Sequence, residues 1–148
     1  MVLDSEFQNL LSQVAQKIGD DAVCRLHPSD SGLPDQAAKP VSALYTDAVY
    51  DWAPPPQQRP LVLTKVTPLT VIETSDGPDK VDWRGARYQV IQAIKLDHVD
   101  PEWWMNDPDW QTGSRQYWRL DTIGSHSFFT FCANGGDLPS GWFSQGWF

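Results

Sequence analysis

The sequence is poor in the residues that most often carry chemistry. Two cysteines, Cys24 and Cys132, lie far apart, and neither has a partner at a metal-ligand spacing such as C-x-x-C. Both therefore read as small apolar thiols in a reducing, cytoplasmic setting. Basic residues are also scarce: 11 Lys and Arg stand against 19 Asp and Glu, a formal net charge of −8. Nucleic-acid affinity rests largely on cations that displace counterions, so autonomous DNA binding is disfavoured and DNA is reached only indirectly. No apolar run approaches the ~18 residues of a membrane span, and the first residues lack the basic-then-apolar pattern of an export signal.

Catalytic constellations are missing as well. Asp20, Asp21 and the acids between Asp100 and Asp109 have no Gly-rich phosphate loop beside them, and acids on loops are mostly solvated. His27 is near Cys24, and Ser125 adjoins His126, yet no G-x-S-x-G elbow is present and Gly124-Ser125-His126 reads as a turn. His27, His98 and His126 form no ligand cluster, so neither a metal nor a cofactor is expected. The expectation is a chain that is not an enzyme.

Ser5 to Ile18 places Phe7, Leu10, Leu11, Val14 and Ile18 on one helical face, with Ser5 and Gln8 as a capping box and Gly19 as a stop. One apolar stripe implies one packing surface, within this chain or on a partner. The opening Met-Val-Leu-Asp enters this helix with no strand or linker before it, which is the expectation for a piece of a longer chain. Ala22 to Leu26 reads as a short strand. Residues 27 to 59 are dense in Pro, Ser, Asp and Gly and read as a connection, rigid at Pro54, Pro55 and Pro56.

From Arg59 the chain changes to short runs rich in Val, Ile, Thr and aromatics, at Leu61 to Leu63, Leu69 to Glu73, Val81 to Trp83 and Arg87 to Leu96. Gln116 to Thr122, Ser127 to Cys132 and Trp142 to Phe143 continue the series. Pro68, Asp76-Gly77-Pro78, Arg84-Gly85, Gly124 and Asn134-Gly135-Gly136 punctuate it. The expected organisation is a helix-strand segment over 1–26, a Pro-rich connection over 27–59, and a Trp-rich, mainly β domain over 60–148. The expected class is α+β, with one amphipathic helix and a mostly antiparallel sheet or small barrel. Arg84, Arg87 and Lys95 fall in one predicted hairpin and read as a solvated strand face.

Eight tryptophans are the strongest positive feature, and six of them lie from Trp103 onward. Rings fill small β cores and also anchor interfaces. Trp118 and Phe129 are the expected core members. Trp103 and Trp104 are adjacent, and neighbours on an extended segment face opposite ways, so one of them should meet solvent or a partner. The alternative function, a single-stranded DNA module using tryptophan stacking, needs a positive groove, whereas His98 to Asp109 holds four acids and no cation.

These motifs carry a resemblance. The order Val99-Asp-Pro-Glu-Trp-Trp104, Arg115-Gln-Tyr-Trp-Arg119, Phe128-Phe-Thr-Phe131 and Trp142-Phe-Ser-Gln-Gly-Trp-Phe148 resembles the C-terminal region of ImuB-type proteins, the non-catalytic Y-family polymerase-like proteins of bacterial DNA-damage mutagenesis. Upstream, Leu10 to Val23 and Arg59-Pro60-Leu61 extend the likeness over nearly the whole chain. Three departures stand out: the family's basic loop is here Gly32-Leu-Pro-Asp-Gln-Ala37, Gln116 replaces the usual Asp, and Cys132 stands where an Arg is common.

The resemblance implies a protein-interaction module of an SOS mutasome, serving translesion synthesis. It implies as partners a RecA-like ImuA protein, an error-prone replicative-type polymerase and the sliding clamp; Gln8-Asn-Leu-Leu11 weakly resembles a clamp-binding peptide but aligns better with the helix. The expected partner-binding residues are Trp103, Trp104, Trp110, Arg115, Trp147 and Phe148.

Overall fold

The computed structural model describes residues 2–52, 58–102, 104, 108–137 and 140–148. The chain divides into two compact units, Met1–Pro54 and Pro55–Phe148. Strand is the predominant secondary structure and, among the described residues, α-helix is confined to one segment, which corrects the α+β class expected from the sequence to mostly β. The physical reason is strand length: residues that read as strand breaks lie inside longer strands.

In the first unit, α1 (Val2–Ile18) ends at Gly19, whose φ of 102° is costly for any residue with a Cβ and whose N–H donates to the Ala15 carbonyl. A 3-10 turn (Asp20–Ala22) leads into β1 (Cys24–Pro28), which pairs antiparallel with β2 (Ala38–Ser42). Part of the stretch read as a connection is thus a strand. Ala15, Leu33 and Ala43 are buried, whereas Phe7, Leu10, Val14 and Ile18 of the helical stripe remain exposed.

The second unit is a closed barrel of β3 (Val62–Thr74), β4 (Gly77–Trp83), β5 (Ala86–Val99), β6 (Gly113–Thr122), β7 (Ser127–Gly135) and β8 (Gly141–Trp147). Every neighbour pair is antiparallel and consecutive except β3 with β8, which closes the ring. Two strands change partner along their length. β3 pairs with β8 from Val62 to Leu69 and with β4 from Thr70 to Thr74; β5 pairs with β4 up to Gln89 and with β6 from Val90.

Pro68 therefore sits in the half of β3 that has β8 as neighbour and no partner yet on the β4 side. A proline costs no ladder bond on such an edge, which is why it does not end the strand. Arg84 and Gly85, with φ of 48° and 81°, make the two-residue turn between β4 and β5; positive φ at both central positions matches the right-handed strand twist.

Alternation along β6, β7 and β8 puts rings on both faces of these strands. The first face gathers Leu69, Val81, Leu120, Phe128 and Trp142, with Trp83, Tyr88, Trp118 and Trp147 packed against them, and draws on all six strands. The second face gathers Tyr117, Phe129, Phe131 and Ala133, with Leu96, Val99, Phe143 and Phe148 beside them, and takes nothing from β4. Among the described residues, no helix is long and apolar enough to cross a membrane.

Candidate functional site

Of the residues singled out from the sequence, Trp147 packs on the first face, and Arg115 and Phe148 on the second. Trp103 lies outside the described residues, and of Trp110 only the backbone is described, on a 3-10 turn spanning Pro108–Thr112. Trp104 is 61% exposed. Trp147 and Phe148, adjacent in an extended segment, face opposite ways. Trp147 packs edge-to-face on Trp83 at 4.7 Å and against Phe128 at 5.5 Å on the first face; Phe148 meets Phe129 at 5.7 Å and the Arg119 guanidinium at 4.8 Å on the second.

Arg115 is not a surface residue, being only 2% exposed. Its Nε donates to Thr112 Oγ1 at 3.2 Å and its Nη1 to Tyr117 Oη at 3.3 Å, while its guanidinium lies 4.4 Å from the Phe131 ring centroid. Tyr117 in turn donates to Gln145 Oε1 at 3.2 Å. A charge withdrawn from water must be satisfied by such partners, so Arg115 organises the buried second face and is held away from a partner's reach.

Two grooves border the aromatic cluster of the first face. The larger, about 450 Å³, is lined by Glu73, His98, Ser114, Gln116, Trp118 and Trp142, with Cys132, Asn134 and Gly135. Its tryptophans lie 5.9 Å apart with a 50° tilt. At its edge Asp100 accepts from Ser114 Oγ at 2.9 Å and from His98 Nε2 at 3.1 Å, and these bonds hold its carboxyl below the usual carboxylate range.

Burial, and secondarily the charge of Glu73, pushes the Cys132 thiol up. It stays protonated at neutral pH, the opposite of what an attacking thiolate requires.

Gln116 builds this groove's wall. The β5–β6 register shifts between Lys95 and His98, which leaves Leu96 and Asp97 without opposite residues. The Gln116 amide donates to both their carbonyls, at 2.9 and 3.1 Å. At the groove's end Gly113 runs so close to β7 that a Cβ would stand 2.4 Å from the Asn134 carbonyl oxygen.

The smaller groove, about 320 Å³, is lined by Thr64, Lys65, Trp83, Arg84, Ser144 and Trp147, together with Thr67 and Pro68. Its character is basic. The Arg84 guanidinium sits 4.3 Å above the Trp83 ring, a cation–π contact. Arg87, by contrast, is taken up by Asp82 in a bidentate pair of 2.6 and 2.7 Å.

Lys65, Trp83 and Ser144 were not legible as site residues. β3 meets β8 only through barrel closure, and the one local signal was an Arg in a turn position that favours Asn or Asp before Gly.

No family model matches the chain. No solved structure matches it. Among curated proteins, Protein ImuB of Caulobacter vibrioides, in strains NA1000 / CB15N and ATCC 19089, is 27% identical over 155 aligned positions. The alignment covers 98% of this chain and 34% of ImuB, so the chain spans about a third of the relative's length. Over nearly its whole extent, this chain is similar to ImuB, the protein type that its ordered aromatic motifs resemble.

Proposed function

We propose that this chain is a non-catalytic protein-interaction module in bacterial DNA-damage mutagenesis, acting in the cytoplasm within a translesion-synthesis complex. The observation that carries the reading is the 27% identity to ImuB over 98% of the chain, since the likeness runs through the aromatic strands and is not confined to one motif. The partners implied by that resemblance are a RecA-like ImuA protein and an error-prone replicative-type polymerase, with the sliding clamp as a further contact.

The charge balance supports protein partners. A net charge of −8 steers the module towards basic surfaces and away from long phosphate backbones. Trp104, a large ring left 61% exposed, is suited to a partner's pocket.

The test is co-purification of the ImuB-type protein carrying this region with the ImuA-type protein and the polymerase. Both should be retained, and Trp104→Ala should weaken retention by about tenfold, the effect of losing an interface anchor worth roughly 1.4 kcal/mol. Retention of neither, with damage-induced mutation frequency unchanged when residues 60–148 are deleted, overturns the proposal.

A further inference from the structure

We infer that the smaller groove is an anion site that receives an acidic side chain, Asp or Glu, of a protein partner. The inference rests on the reading of this chain as a protein-interaction module and deepens it.

Charge comes first. In a chain of net −8, Lys65 and Arg84 line one groove, and among the described residues neither has a carboxylate within ion-pair distance. Asp82, the acid nearest Arg84 along β4, is already engaged by both guanidinium nitrogens of Arg87. Two cations held together beside low-dielectric walls, without an internal counter-charge, favour an external anion.

The groove also offers an unused donor. Ser144 is 2% exposed, lines the floor and makes no side-chain hydrogen bond to the described residues. Its hydroxyl and that of Thr67 add neutral donors to the two charges, while the Thr64 hydroxyl is turned to the Lys65 carbonyl.

Arg84 occupies its position at a cost. With φ of 48° it stands where Gly, Asn or Asp is ordinarily found, and the next residue is Gly85 at 81°. Its guanidinium is fixed over Trp83, which presents a pre-positioned charge at the mouth of the groove.

The occupant is a carboxylate and not a nucleotide. Trp83 and Trp147 meet edge-to-face at 82°, Trp83 also meets Phe128 at 69°, and Arg84 covers a Trp83 face. The rings are spent on each other, so no stacking platform remains for a base. Two cations also neutralise only about two phosphates, too few to offset the acidic remainder of the surface.

Nor is the occupant an added β-strand. The β3 edge here carries Lys65, Pro68 and a register shift between Leu63 and Thr67, the devices by which sheet edges avoid pairing.

The experiment uses the whole chain labelled with nitrogen-15 at low salt. The probes are a capped pentapeptide bearing one Asp and one Glu, its Asn/Gln counterpart, and a decamer of thymidylate. The acidic peptide should move the indole resonances of Trp83 and Trp147, and the neutral peptide should not. Lys65→Glu should abolish the response, and Arg84→Gly should weaken it about tenfold, as expected for loss of one charge-assisted bond. Glycine suits the positive φ, so Arg84→Gly should melt no lower than the parent, which separates lost binding from lost folding.

Equal response to the acidic and neutral peptides, indifference to both variants, or tighter binding of the thymidylate decamer overturns the inference. If partner retention survives while the acidic peptide fails to bind, the anion site alone is wrong; loss of partner retention instead counts against the proposed function.

Discussion

The two grooves are built from the same material and finished with opposite chemistry. Each is walled by two tryptophans of the first-face cluster, Trp118 and Trp142 in one, Trp83 and Trp147 in the other. One is rimmed by Glu73 and by His98 with its Asp100 partner, the other by Lys65 and Arg84. Tryptophan content therefore does not distinguish a site from a core. What distinguishes them is whether neighbouring charges are already spent, as with Asp100, which accepts from Ser114 and His98, or left available, as with Lys65 and Arg84.

Each groove also depends on its own close backbone approach, so the two can be broken separately. The largest effect is expected from glycine substitution. A Cβ at Gly146 would stand 2.1 Å from the Val62 carbonyl oxygen, and one at Gly113, whose φ is 78°, 2.4 Å from Asn134 O. Each Gly→Ala change should cost about 3 kcal/mol or more by clash, strain or both, measured by urea denaturation. Gly146→Ala should abolish the acidic-peptide response of the basic groove at temperatures where Gly113→Ala, still folded, retains it. Equal loss in both would show that the grooves are not independent.

A smaller effect is expected at Gln116. Replacement by Leu removes the donor shared by the Leu96 and Asp97 carbonyls and should destabilise the barrel by about 1–3 kcal/mol. Hydrogen exchange should quicken around the β5 register shift while the turn at Arg84 and Gly85 is unchanged. No change at β5 would mean the amide is dispensable there.

The smallest effect is that of pH. The carboxyls of Asp82 and Asp100 are held low, Asp82 first by its hydrogen bonds from Arg87 and Asp100 first by its bond from Ser114. At Asp121 burial pushes upward, but hydrogen bonds from Arg119 and Ser127 and the Arg119 charge outweigh it, so that group is also lowered. Folded values below the unfolded ones mean stability fully present above the ordinary Asp value of about 3.9 and lost as pH falls through the lowered values.

Cys132 has the opposite sign. Its raised thiol contributes no penalty below the ordinary value of about 8.5, and stability declines as pH rises from there through the folded value. A melting curve followed from pH 2 to 10 should fall at both ends, and Cys132→Ser should flatten only the alkaline limb.

Local structure was legible where local rules govern it. The spacing of Phe7, Leu10, Val14 and Ile18 and the stop at Gly19 correspond to α1, and the turns at Asp76, Arg84-Gly85 and Gly124 lie between strands of the barrel. The class was misjudged because Pro68 read as a break, although on a one-sided edge it is tolerated, and because strand pairing within 27–59 has no periodic signal.

The site was less legible still. Arg115 looked like a contact residue but is buried by partners at Thr112 and Tyr117, and Gln116 stood out only as a departure from the family's usual Asp. An amide donates where a carboxylate accepts, and the two carbonyls at the β5 shift need a donor. Lys65 and Ser144 belong to strands that meet only when the barrel closes, a relation no short window of sequence contains.

That closure has a kinetic consequence. Five of the six strand pairings join neighbours in the chain and form by local hairpin closure; the sixth joins Val62 to Trp147, across almost the entire second unit. The loop entropy of that last pairing is met only after the hairpins exist, so the β3–β8 seam should be the final and rate-limiting event in folding. The basic groove straddles this seam. It should accordingly appear last during refolding, and a chain released early would lack its anion site while already holding most of its strands.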